Sequence, residues 1–244
     1  MHGDLVFRTS RFQSSAMVMQ NSFSNMASKK RKSKRSADSN KKWNKSELRL
    51  LSSLTSPGKI QAFLDRLEYS AESRYRCPRN VLRDRTAHCY DGAVFAAMAL
   101  RKLGYVPLIV DMDAVRDDDH VIAIFKRNGR FGAIAKSNFV GIRYREPVYL
   151  SLRELVMSYF ESFYNVNYEK TLRQYTRPLN LSSFDALHWM TSDAALDVIA
   201  DKLNNIRVYK ILTAAMARSL SPVDKRTYNA GMLGVKKAGL YKPE

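Results

Sequence analysis

Arg85-Thr86-Ala87-His88-Cys89-Tyr90-Asp91-Gly92-Ala93-Val94-Phe95-Ala96-Ala97-Met98-Ala99-Leu100-Arg101-Lys102-Leu103-Gly104 is where an arginine-rich stretch turns into a long apolar helix. The alanines with Val94, Met98 and Leu100 make the segment helical and apolar nearly all round, and a helix of that kind is buried. Thr86 is the expected N-cap and Gly104 the expected left-handed stop. Cys89 then falls in the first turn, where free amide donors and the positive end of the helix dipole stabilise a thiolate. A thiol so placed is a candidate nucleophile, given a base within reach. A buried structural cysteine is the plain alternative.

The flanks of this helix set the fold class. Val106–Met112 is an apolar run of strand length, followed by a polar loop over Asp113–Asp119. His120–Lys126 and Arg130–Lys136 then flank Asn128-Gly129, a strong short hairpin signal. Upstream, Asn44 with Glu47 forms a capping-box pattern, and Ser56-Pro57 opens a second helix with Ile60, Phe63, Leu64 and Leu67 on one face. Downstream, Ser151 with Glu154 opens an expected helix over Leu152–Tyr164. Further helices are expected over Ser192–Leu203 and Arg207–Leu220. Buried helix followed by antiparallel strands is an α+β order, with a mainly helical C-terminal extension.

Of the four histidines, His2 lies in the N-terminal tail, His88 points about 100° away from Cys89 around a helix, and His188 lies in the distal helical part. His120, opening a strand beside the helix, is the favoured base. A third group on the returning strand is needed to orient the imidazole. Ser137 and Asn138 stand there, and Asn138 is the candidate.

The residues Thr86 to Pro107, with His120 and the hairpin through Gly129-Arg130-Phe131, resemble the transglutaminase-like superfamily. In that family a cysteine opens a helix that ends in Leu-Gly and runs into a strand. The resemblance spans roughly residues 85–138. It departs from the family pattern at Ser137-Asn138, where an aspartate is usual, and at Val121, where many members carry an aromatic. It implies a papain-like α+β core with a nucleophile helix packed on an antiparallel sheet. It also implies acyl transfer or amide hydrolysis through a thioester on Cys89, with no cofactor. His120 would act as general base and acid, Asn138 as its orienter, and backbone N–H groups near Cys89 as the oxyanion hole. The substrate would be a peptide or protein.

Composition bounds the remaining readings. The 244 residues carry a net charge of +18, and half of that excess sits in residues 1–45, with eleven Lys or Arg against Asp4 and Asp38. The organisation read from this is a disordered basic tail (1–45), a core (46–165) and a helical extension (166–244). Lys29-Lys30-Arg31-Lys32-Ser33-Lys34-Arg35 is a like-charge block that repels itself and can contact a polyanion. An inactive transglutaminase-like scaffold whose tail binds nucleic acid is therefore the alternative function. A zinc site on Cys89 and His120 ranks last, because the spacing matches no familiar finger. Cys77 and Cys89 are the only cysteines, which favours reduced thiols and a cytoplasmic setting. No apolar run is long enough to span a bilayer. The arginines Arg74, Arg76, Arg79, Arg83 and Arg85 either bind an anionic substrate or pair with local carboxylates such as Asp84.

Overall fold

The computed structural model describes residues 43–242. The basic block and most of the tail lie outside them. The described chain is a mixed α and β structure built on a seven-stranded antiparallel sheet. Its strands are β3 (Leu108–Ala114), β4 (His120–Arg127), β5 (Arg130–Ile134), β6 (Arg145–Tyr149), β7 (Leu172–Thr176), β8 (Leu179–Asn180) and β9 (Val208–Lys210). The order across the sheet is β6-β5-β4-β3-β7-β9, with β8 also paired to β3. A separate parallel pair joins β1 (Glu68–Tyr69) to β2 (Thr86–Ala87).

The N-terminal helices form for the expected reasons. Helix α1 (Lys45–Ser53) opens with a complete capping box between Asn44 and Glu47. Helix α2 (Pro57–Asp65) has Ser56 as its cap and proline in its first turn. It buries Ile60, Phe63 and Leu64, and Phe63 stacks on Phe95 with ring centroids 4.8 Å apart. Helix α3 (Pro78–Asp84) ends at Arg85, whose φ is +56°.

Helix α4 (Cys89–Lys102) is buried continuously from Tyr90 to Leu100. It packs against β4 and β3 and against α2 and α3, and it ends with Gly104 at φ +90°. The β4–β5 hairpin turns at Asn128 (φ +51°) and Gly129 (φ +76°), the left-handed pair that a tight hairpin demands. Strand alternation divides β4: Ile122 and Ile124 join a core with Val110, Met112 and the residues Leu155, Val156 and Tyr159. Helix α5 (Leu152–Met157) supplies Leu155 and Val156 to that core.

Three expectations change. The helix opened by Ser151 stops at Met157 and resumes only as a 3₁₀ turn over Phe160–Ser162. The helix expected over Arg207–Leu220 is instead β9 followed by the short helix α7 (Ala214–Arg218). The part beyond residue 165 is therefore less of an appendage than its composition implies, since β7, β8 and β9 complete the central sheet. Its longest helix, α6 (Ala194–Asn204), buries Leu196, Ile199, Ala200 and Leu203 as its period requires.

Candidate active site

Cys89 is the first residue of α4, but the cap is His88 and not Thr86. Thr86 and Ala87 are held in β2 against Glu68 and Tyr69, so the helix starts later. The His88 imidazole Nδ1 accepts from the backbone N–H of Tyr90 (3.2 Å) and of Asp91 (3.5 Å). Asp91 answers by accepting from the His88 N–H at 3.4 Å. This is a capping box built with an imidazole. It leaves the Cys89 backbone N–H as the first-turn donor that His88 does not engage.

The thiol lies against the start of β4. Its Sγ is 3.8 Å from the carbonyl oxygen of Asp119, and the Val121 N–H acts on the sulfur. These two backbone groups flank His120, so helix end and strand start meet at the expected place. Cys89 and His120 line one cleft, together with Tyr69, Asn138, Ile142 and Phe163.

His120 is buried, with its ring edge-on to Phe163 at 6.3 Å between centroids. Its Nε2 lies 2.8 Å from the carbonyl oxygen of Ile142. A carbonyl only accepts, so Nε2 carries the proton and Nδ1 is left as the acceptor nitrogen. The orienting partner is thus a backbone group. Asn138 lines the cleft but does not hold the imidazole in this structure. Its Nδ2 donates to the Lys236 carbonyl at 3.0 Å, and its Oδ1 accepts from the Lys236 N–H at 2.9 Å. The physical reason is that β5 ends at Ile134, and the chain has left the sheet before residue 138. Ser137 Oγ is likewise turned to its own loop, accepting from the Phe139 N–H at 2.9 Å.

The charge state of the pair differs from the dipole argument. Burial pushes the Cys89 thiol up to about 12, and the carboxylates of Asp118, Asp111 and Asp91 add to that rise. The Val121 amide works in the opposite sense and is outweighed. Burial also pushes His120 down to about 4, against its hydrogen bond to the Ile142 carbonyl and with help from Arg145. Thiol and imidazole are both neutral in this closed form. Desolvation wins over the helix dipole, which contributes only ~1 kcal/mol. Cys77 is a structural thiol: it is buried, precedes α3, and is also raised to about 12 by burial.

Two features surround the pair. Gly92 allows Lys136 to cross the helix, since a Cβ at 92 would lie 2.3 Å from the Lys136 Cβ. The Lys136 ammonium then donates to the carbonyls of Leu64 and Leu67 at the end of α2. Sequence reading missed this lysine because its partners lie some seventy residues away. Three of the five arginines form ion pairs: Arg76 reaches Glu72 (2.6 Å) and Asp84 (3.2 Å), Arg74 reaches Asp84 (3.0 Å), and Arg83 reaches Glu47 (2.6 Å); Arg79 donates to the Thr191 carbonyl and Arg85 lies over the Phe63 ring. These arginines serve the fold.

Among the described residues one group of three carboxylates, Asp111, Asp113 and Asp119, brings an oxygen from each within 4.8 Å of the others. It includes neither Cys89 nor His120. Asp113 accepts from Gln174 (2.8 Å) and Asp119 from the Ala114 N–H (2.8 Å), which ties β3, β7 and the Asp117–Asp119 loop together. No helix among the described residues is long and apolar enough to cross a membrane. No protein-family model matches the chain, and comparison with curated proteins gives no match.

Proposed function

We propose that the chain is a cysteine acyl-transfer enzyme of transglutaminase-like, papain-like type, acting on peptide amide bonds by transfer or hydrolysis. The observation that carries this reading is the meeting of Cys89, first residue of a buried helix, with His120, first residue of the adjacent strand, in one cleft.

In this reading His120 Nδ1 takes the Cys89 proton as the sulfur attacks the substrate carbonyl carbon. The carbonyl π-bond opens to an oxyanion, which the Cys89 backbone N–H helps to hold. The tetrahedral adduct collapses to a thioester as the C–N bond breaks, and the imidazolium returns its proton to the leaving amine. Water or a second amine then attacks the thioester, with His120 again acting as base. Ile142 takes the orienting role first given to Asn138, and its carbonyl favours the imidazolium formed in the step. No cofactor is needed.

The competing reading is an inactive scaffold, and the raised thiol is the observation in its favour. Intact-mass analysis after mixing with an activated peptide ester separates the two. A single acyl adduct on Cys89, absent in Cys89→Ala and retained in Cys77→Ala, supports the enzyme. Equal, slow acylation of surface lysines with none on Cys89 supports the scaffold.

A further inference from the structure

The Cys89 cleft is walled in part by the chain's own distal segment. Beyond α7, Val223 donates its N–H to the Tyr168 carbonyl at 2.9 Å. The helix α8 (Lys225–Gly231) follows, and Gly231 rests against the Tyr164 ring. Residues 233–241 then form a strap beside the cleft, exposed at Leu233, Gly234 and Lys236 to Ala238 and lining the cleft at Gly239.

Three observations define how the strap is held. First, the Asn138 carboxamide pairs with both the N–H and the C=O of one residue, Lys236, whose backbone is extended at φ −78°, ψ 106°. Such a pairing reads main chain and ignores the side chain. Second, Gly239 is buried at the Cys89 cavity, where a Cβ would lie 2.8 Å from the Tyr69 ring and 3.3 Å from Asn138 Nδ2. Third, the strap borders two hollows. Gly239 lines the cleft of Cys89 and His120. Leu233, Gly234 and Lys236 line a cavity of about 310 Å³. Tyr69, Ser137, Asn138 and Phe139 line both. Lifting the strap would join the two into one groove ending at the thiol.

We propose that this groove is a peptide main-chain-binding subsite of the Cys89 cleft, closed in cis by residues 233–241, with Asn138 as its main-chain reader. The ligand class is a peptide with an extended residue at the place of Lys236 and a glycine where Gly239 sits. The use of such a peptide as acyl donor rests on the acyl-transfer reading, whereas its binding does not. Main-chain pairing through one side chain is the economy used when peptides dock as extended strands, with specificity left to pockets for individual side chains. Here the selective position is the narrow one. The strap turns as a 3₁₀ helix over Lys237–Gly239, so the occupant holds the place of a substrate without presenting an extended bond to the sulfur. Few buried apolar side chains anchor it, which is the profile of a segment that opens locally.

The test follows iodoacetamide labelling of Cys89 by peptide mapping in the full chain carrying Cys77→Ala. Lys236→Pro removes the N–H that Asn138 Oδ1 accepts, Gly239→Val drives a side chain into the Tyr69 ring, and Asn138→Ala removes the reader from the other side. Each should raise the labelling rate tenfold or more while the thermal melt stays cooperative. A synthetic peptide copying residues 231–242, added to the Lys236→Pro chain, should restore protection saturably, and the same peptide with alanine at the position of Gly239 should not. Wild-type labelling rates in all three variants would overturn the proposal, as would failure of the peptide to protect. The acyl-transfer reading fails separately. If the variants expose Cys89 and bind peptide yet form no acyl adduct with a peptide ester, the subsite stands and the chemistry falls. If wild type and variants acylate at equal rates, the chemistry stands and the strap does not guard it.

Discussion

His120 Nε2 lies 2.8 Å from the carbonyl oxygen of Ile142, a backbone acceptor where the sequence offered the side chain of Asn138. An aspartate would stabilise an imidazolium by a full charge, and a carbonyl offers only a dipole. Burial outweighs that dipole and keeps the histidine neutral near pH 7.

One consequence is visible by NMR. Burial holds His120 down at about 4, so its ring should remain in the Nε2–H tautomer from pH 8 to pH 5. Long-range ¹⁵N correlation spectra of the wild-type chain should show that state throughout. A titration midpoint at or above 6.5 would mean that the ring is solvated.

The thiols carry a second prediction. With Cys77 and Cys89 both pushed up to about 12 by burial, little thiolate exists at pH 8 in the closed chain. Reaction with Ellman's reagent should be at least about a hundredfold slower in the native chain than after denaturation. Equally rapid native and denatured reaction at Cys89 would contradict a closed cleft.

Two glycines should behave oppositely. Gly92→Ala forces Cβ against Cβ of Lys136 and should cost about 1–3 kcal/mol in urea unfolding. Gly58, in the first turn of α2, has open space around it. Gly58→Ala should stabilise by about 0.4–1 kcal/mol. A neutral Gly92→Ala would show that the Lys136 crossing is slack.

Asp91 gives a pH signature. Burial raises its carboxyl to about 7, against hydrogen bonds from the Arg76 and His88 N–H groups and the charge of Arg76. A carboxyl raised in the fold binds its proton more tightly folded than unfolded. Its contribution is therefore most favourable below the unfolded value near 4, and it declines as pH rises to about 7. Asp91→Asn should flatten this limb of the stability–pH curve between pH 4 and 7. A slope unchanged by the substitution would place the ionisation elsewhere.

How much of this was legible in the sequence depends on the range of the interaction. Asn128-Gly129 announces its hairpin because a left-handed pair needs those residues and nothing distant. The N-terminus of α4 was legible to within two residues. The error in its cap arose because an imidazole seldom takes that role and because pairing with β1 holds Thr86 extended. The stretch Arg207–Leu220 reads as helix by propensity, yet Val208–Lys210 is drawn into the sheet by β7. That Cys89 and His120 line one cleft was legible, and what holds each of them was not. A carbonyl such as that of Ile142 leaves no mark of identity in a sequence, and the pairing of Asn138 with Lys236 spans 98 positions. The thiol pKa was misread because the dipole is local to the helix whereas burial is a property of the assembled fold.

In the proposed mechanism Cys89 and His120 act as nucleophile and base. Stopped-flow release of p-nitrophenol from a glycine-containing peptide ester, measured on the Lys236→Pro chain, tests it most directly. The expected result is a burst of about one equivalent per chain, abolished in the Cys89→Ala background and slowed by roughly a hundredfold or more in the His120→Asn background. A release rate that is the same with and without Cys89, or indifferent to His120, would contradict it.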